Sequence, residues 1–162
     1  MDQVERAVLI ARYGTGYDVV AEALAGSTDA ELDAREAPGE WSPRQVVHHL
    51  ADSEMTAAIR IRRILVEDGP LIQGYDQEAF AARLHYDRPL EGSLLAFRAA
   101  RACTLELIRR LGDAEWARAG THSQYGPYSA EDWLRDYGVH AHDHAEQIRR
   151  ARATASEELG HS

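Results

Sequence analysis

Apolar residues recur along this chain at intervals of three and four, the period of a helical stripe, and no segment alternates as a half-buried strand does. The first helix is predicted from about Asp2 to Ala25, with Val4, Val8 and Ala11 on its buried face; Gly14 and Gly16 weaken its middle. Gly26-Ser27-Thr28 and Ala37-Pro38-Gly39 bracket a linker with one short helical turn. The second long helix opens at Ser42-Pro43-Arg44-Gln45, which joins an N-cap serine, a proline at the first helical position and a glutamine at the third. It continues to about Glu67, before Gly69-Pro70, and Val46, Leu50, Ala57, Ile61 and Ile64 form its stripe. A short helix near Asp76 to Leu84 precedes the third long helix, Leu90 to Leu111, which carries Leu94, Phe97, Leu105 and Ile108. Gly112 to Tyr128 is expected to be a long ordered loop. Ser129, with Asp132 three residues on, caps a last helix that runs to about Arg152, and residues 153–162 are expected to fray. The predicted fold is all-α: one domain over residues 1–152, a four-helix bundle with short additional helices and long connecting loops.

The stripe of the last helix carries the chemistry. Trp133, Tyr137, His140, His144, Ile148 and Ala151 share one face, so two imidazoles occupy positions a soluble helix normally gives to hydrocarbon. Buried ring nitrogens need a partner, and one metal ion gripped by both histidines supplies it. The plainer alternative is a pair of core histidines bonded to backbone or carboxylates. His142 lies about half a turn away and is expected to face solvent or the flank. A catalytic zinc-type site needs a third protein ligand. The second helix offers His48 and His49 in succession; His48 falls opposite the Val46/Leu50/Ala57 stripe and is expected to face solvent, whereas His49 lies at the stripe's edge. His49, His140 and His144 therefore form the candidate triad.

Composition narrows the classes. A chain of 162 residues, 44 % hydrophobic and 28 % charged, is that of a folded domain. A net charge of −9 excludes the basic surface that nucleic-acid binding requires. The 18 basic residues are all arginine, read as the base composition of a GC-rich bacterial genome. No apolar run approaches a membrane span, and the charged N-terminus is not a signal peptide; a cytoplasmic protein is expected. The single cysteine, Cys103, sits among apolar residues of a helical pattern and is expected to be a buried, inert thiol.

Trp41-Ser42-Pro43-Arg44-Gln45-Val46-Val47-His48-His49-Leu50-Ala51-Asp52-Ser53-Glu54, Gly120-Thr121-His122, Gly126, Trp133-Leu134 and the run from His140 to Ile148 stand in the order seen in the DinB-like (YfiT-like) superfamily of metalloproteins, which the chain resembles over roughly residues 1–150. The resemblance implies a four-helix bundle, often a homodimer, with a divalent metal, commonly zinc or nickel, held by three histidines that match His49, His140 and His144. Characterised relatives use low-molecular-weight thiols such as bacillithiol or mycothiol as substrate or cofactor. A ligating imidazole usually gives its other N–H to a neighbouring acceptor. Asp52, Asp136 and Gln147 are the candidates for that support, with an ordinary helix-surface polar group as the alternative for each. His122 is a candidate lining residue if its loop closes over the site. Glu54 is a candidate base. Arg101, in the stripe of the third helix, is a candidate for a substrate carboxylate, the alternative being a snorkelling side chain.

A three-histidine site leaves the ion's charge uncompensated and favours deprotonation of a bound thiol or water. The leading expectation is a metal-dependent transferase of a small thiol to an electrophile, with a small-molecule substrate. A metal-dependent hydrolase and a non-catalytic metal-binding stress-response module are the competing readings.

Overall fold

The computed structural model describes residues 1–160. Its long helices are α1 (Gln3–Leu24), α3 (Pro43–Val66), α5 (Glu91–Ile108) and α7 (Ala130–Gly160), with short helices α2 (Asp29–Asp33), α4 (Gln77–Arg83) and α6 (Asp113–Trp116) between them. Strands β1 (Leu71–Ile72), β2 (Ala119–His122) and β3 (Gly126–Ser129) form one small sheet in that order; β1 is parallel to β2, and β2 antiparallel to β3. Among the long helices, α1 packs chiefly on α7 and α5, and α3 on α5 and α7. The first two long helices therefore occupy opposite corners, and the segment from Ala25 to Ser42 crosses between them.

Local signals set the boundaries. Ser42 and Gln45 form the reciprocal cap expected of their spacing, with Pro43 in the first turn. Thr28 and Glu31 do the same for α2. Ser129 accepts from the Asp132 N–H while Asp132 accepts from the Ser129 N–H. The stripe of α3 is buried as its periodicity predicts, and Trp133 donates its indole N–H to the Ala57 carbonyl at 3.0 Å, pinning α7 to α3.

Four expectations are corrected. Val4 and Val8 are exposed and Ala11 with them; the inner face of α1 is Tyr13, Gly16, Val20 and Ala23. This helix is apolar on more than one side, so periodicity alone does not select the packed face. The segment from Gly112 to Tyr128 is not a loop but holds α6, β2 and β3; Pro127 and Gly126 interrupt the alternation by which a strand is recognised. The last helix continues past Arg152 to Gly160, with Ala155 buried and the Thr154 hydroxyl bonded to the Arg35 carbonyl; His161 and Ser162 lie outside the described residues. Cys103 is exposed, on the outer side of α5, where the Arg62 guanidinium approaches its sulfur at 3.3 Å.

The core falls into two apolar clusters. One gathers around Trp116, Trp133 and Ile61, the other around Leu50, Phe97 and Ile148. A polar layer separates them. Arg101 of α5, 2 % exposed, donates from Nη1 to Glu54 of α3 at 2.5 Å, from Nε to the Tyr13 carbonyl of α1 at 2.7 Å, and from Nη2 to the Tyr137 carbonyl of α7 at 3.1 Å. The Tyr13 hydroxyl closes the layer on the other Glu54 oxygen, and the guanidinium lies 3.9 Å from the Tyr13 ring centre. Room for that guanidinium comes from Gly16: a Cβ there would lie 2.5 Å from Arg101 Nη2.

Gly16→Ala is therefore expected to destabilise the protein by about 1–3 kcal/mol through overpacking, even though alanine favours helix. Gly14→Ala, whose Cβ would meet only the far ends of the Leu105 and Arg109 side chains, at 3.3 Å and beyond, should be neutral or stabilising. Denaturant midpoints decide it, and equal effects of the two substitutions would refute this account of Gly16.

Candidate metal centre

His49 projects from the second turn of α3, and His140 and His144 from successive turns of α7. The three converge. His140 Nε2 lies 3.2 Å from His49 Nε2 and 3.2 Å from His144 Nε2, and the candidate ligand atoms all fall within 4.8 Å of one another. Two nitrogens 3.2 Å apart subtend roughly 100° at an ion placed at the usual zinc–imidazole distance of about 2.0–2.1 Å, between octahedral and tetrahedral angles. His144 Nδ1 donates to Gln147 Oε1 at 2.8 Å, which puts the His144 proton on Nδ1 and turns the Nε2 lone pair inward. Burial, with His144 nearby, lowers the His49 pKa to about 3; burial and its two histidine neighbours also hold His140 well below its ordinary value, and burial lowers His144. Neutral imidazoles with facing lone pairs are the donor set a divalent cation requires, so the residues fit the ion.

The other predicted positions divide. Gln147 touches His144 directly. Asp52 points away and accepts from the Tyr86 hydroxyl at 2.7 Å; Asp136 accepts from the Tyr128 hydroxyl at 2.6 Å. Neither bonds a histidine of the triad. Glu54 and Arg101 do not line the space in front of the triad, because each is committed to the other inside the core; Arg101 is neither snorkelling nor open to a ligand. His48 is fully buried, contrary to expectation, with Nδ1 2.7 Å from Ser93 Oγ and Nε2 3.0 Å from the Arg88 carbonyl. The turn of α3 from Val46 to Ala51 is enclosed on every side, a consequence of chain packing that helical period does not reveal. His142 is half-buried on the flank, bonded to the Arg12 carbonyl and Thr15 of α1.

In front of His49 and His140 lies a cavity of about 540 Å³. The β2–β3 hairpin forms one wall, so the segment that carries His122 does close over the site. His122 is buried, stacks on Tyr125 and accepts the Gln124 N–H on Nδ1; burial, then the Arg60 charge, lower its pKa against the pull of Asp136. Across from it stands Arg60, whose Nη1 donates to the Tyr137 hydroxyl at 3.0 Å and Nη2 to the Gln73 carbonyl at 2.7 Å. Sequence reasoning missed Arg60, although a signal existed: it follows His49 by eleven residues, within about 20° of three whole helical turns, and so shares its face.

The model of the DinB superfamily matches residues 12–148, which takes in every histidine of the triad. The chain belongs to the DinB superfamily. Among its DinB relatives is a protein of Oceanobacillus iheyensis, named a putative metal-dependent hydrolase, 34 % identical over 118 residues that cover 73 % of this chain and 69 % of the relative. YfiT of Bacillus subtilis, also named a putative metal-dependent hydrolase, is 34 % identical over 130 residues, 78 % of this chain and 72 % of YfiT. The solved structure of YfiT, described as a probable metal-dependent hydrolase with an unusual four-helix bundle topology, superposes with a TM-score of 0.87 at 28 % identity, over 99 % of this chain and 90 % of that one. The DinB four-helix bundle is thus shared along nearly the whole chain. Among the described residues, no helix is long and apolar enough to cross a membrane.

The depressed histidines set a pH dependence. In the unfolded chain these imidazoles take up protons near the ordinary value of 6.5, whereas folded His49 does so only near 3. The unfolded state then binds more protons between those values, so the metal-free protein loses stability as pH falls from 7 toward 3, by up to about 1.4 kcal/mol per pH unit per group. Denaturant midpoints of metal-free wild type and His49→Gln test this. The variant's profile should be flatter, and parallel profiles would contradict it.

Proposed function

We propose that His49, His140 and His144 hold one divalent cation, zinc or nickel, and that the protein is a metal-dependent enzyme transferring a low-molecular-weight thiol to a small electrophile bound in the adjoining cavity. The observation that carries this reading is the meeting of three neutral imidazoles, with His140 Nε2 3.2 Å from the Nε2 of each of the other two, beside a polar cavity that His49 and His140 line. A cation so held supplies Lewis acidity, which makes a ligated thiol or water nucleophilic near neutral pH. Gln147 orients His144, and Trp41, its ring 4.7 Å from that of His49, shields the triad on one side.

The carboxylates on the cavity wall support thiol over water. Asp76 caps α4 through the Ala79 N–H, and Asp136 holds the Tyr128 proton, burial and that bond keeping the phenol's pKa raised. Glu54 is locked to Arg101. Neither of the two acids lining this cavity is left poised as a general base for water, and a thiol acidified by a cation needs none, whereas Glu40 and Glu78 stand in a smaller pocket that also touches the triad. In the transfer, the thiol loses its proton to solvent, sulfur bonds to the electrophilic carbon, and the leaving group departs with its electron pair. The hydrolase reading has its own support in the names of the relatives, and a bacillithiol- or mycothiol-type thiol remains part of the first reading only.

Metal analysis of purified wild type, His49→Ala and His144→Ala tests the centre: both variants should retain roughly a tenth of the wild-type metal or less, and Gln147→Leu should weaken metal affinity by about 10–100-fold. Equal metal in all of them would end the proposal. The loaded protein is then assayed with a cysteine-type thiol plus a bimane electrophile, and separately with a nitrophenyl ester. Thioether formation lost in His49→Ala supports transfer. Ester turnover without thiol replaces it with hydrolysis, and bound metal with neither activity replaces both with a non-catalytic role.

A further inference from the structure

The partly buried arginines of this protein are mostly matched to acids: Arg6 pairs with Asp113 and Glu131, Arg44 with Asp29 and Asp33, Arg101 with Glu54. Arg60 is different. It stands on the cavity wall with no carboxylate partner among the described residues, and both its hydrogen bonds go to neutral oxygens, those of Tyr137 and Gln73. Its Nε is buried and unbonded. The guanidinium carbon lies over the Tyr75 ring, 5.7 Å from its centre, so the cation is positioned as well as without an acid partner. A guanidinium brings five N–H donors; two of Arg60's bonds are accounted for, and donors remain. The Tyr137 oxygen accepts from Arg60 and also interacts with the Ser53 hydroxyl, both groups on the cavity wall.

We propose that Arg60, with Tyr137 beside it, is the anchor for a carboxylate on the substrate, so that the protein acts on small carboxylate-bearing molecules whose reactive end faces His49 and His140. This rests on the metal-centre reading only for the reactive end; the anchor stands on the cavity itself. Three features argue for a carboxylate as the occupant. A charge-assisted pair with a planar guanidinium satisfies a cation that the fold leaves without a counter-charge. His49, Ser53 and Arg60 lie along one face of α3, so a ligand spanning the cavity meets anchor and triad together. The acids on the same wall, Asp76 and Asp136, are already engaged by the Ala79 N–H and Tyr128 and do not neutralise Arg60. The carboxylate role expected of Arg101 in the core thus passes to Arg60 in the cavity.

The test is a cycle between ligand charge and protein charge, read as binding rather than turnover. Calorimetric affinities of 3-phenylpropionate and its neutral isostere 3-phenylpropionamide are measured on full-length wild type, Arg60→Met and Tyr137→Phe, each metal-free and metal-loaded. In metal-free wild type the carboxylate should bind about 10–100-fold more tightly than the amide, the range of a charge-assisted hydrogen bond. Arg60→Met should remove that preference, and Tyr137→Phe should reduce it. Should Arg60→Met fold poorly, Arg60→Lys serves: it keeps the charge, loses the fork, and should retain a smaller preference. Equal binding of the two probes to wild type, absence of saturable carboxylate binding, or a preference unchanged in Arg60→Met each overturns the anchor. Metal content measured on the same samples separates the two claims, because a protein that binds no metal but shows the cycle loses its metal centre and keeps its anchor.

Discussion

One buried ion pair holds the architecture together. Arg101 and Glu54 meet between two apolar clusters, and the groups that satisfy them come from α1, α3, α5 and α7, so each long helix contributes to a single layer. Such a pair adds little net stability against a well-packed apolar alternative, since both charges must first be desolvated. Its removal from one side is another matter, costing about 3–5 kcal/mol by stranding a charge. The layer consequently fixes the relative height of the helices more than it strengthens the bundle. Tyr137 shows why that matters: its carbonyl accepts from Arg101, its hydroxyl accepts from Arg60, and His140 follows three residues later. The rigid layer and the reactive cavity share a residue.

The histidines illustrate how much a sequence discloses. His140 and His144 are legible because helical period places both on an apolar stripe, and His49 because it borders another. The geometry brings these three together. His48 was misplaced for a definite reason: period describes one helix facing one partner, whereas the opening of α3 is surrounded, so its second histidine finds Ser93 and the Arg88 carbonyl instead of solvent. Arg101 and Glu54 stood out as charged residues at buried positions, yet nothing in the linear pattern says they satisfy each other across 47 residues. Arg60 was overlooked because an arginine on a helix edge is unremarkable until its hydrogen bonds are seen to go to neutral oxygens and not to an acid. The caps at Ser42 and Ser129 were readable because they involve neighbours in sequence; the sheet was not, since β1 and β2 pair across some fifty positions through very short strands.

The site also separates two tasks by helix. His140 and His144, one turn apart on α7, are preorganised relative to each other by the helix alone, while His49 depends on the packing of α3 against α7. A bound ion would therefore bridge two elements already held by Trp133 and the Ala57 carbonyl, and stabilise the folded form by mass action. Electrostatics act in the same direction, since burial keeps the imidazoles neutral and ready to donate.

Ser129 ends β3 and caps α7, with no residue to spare between the hairpin and the helix that carries His140 and His144. The Tyr128 bond to Asp136 braces the same corner. The joint lacks a hinge, so hairpin and histidine helix form one rigid jaw. The stretch from Gln73 to Gln77 that leads into α4 is tied to that jaw as well, by the bonds of Gln73 and Gly74 to the Ser123 hydroxyl, so the cavity wall on this side is continuous from β1 through the hairpin to the triad.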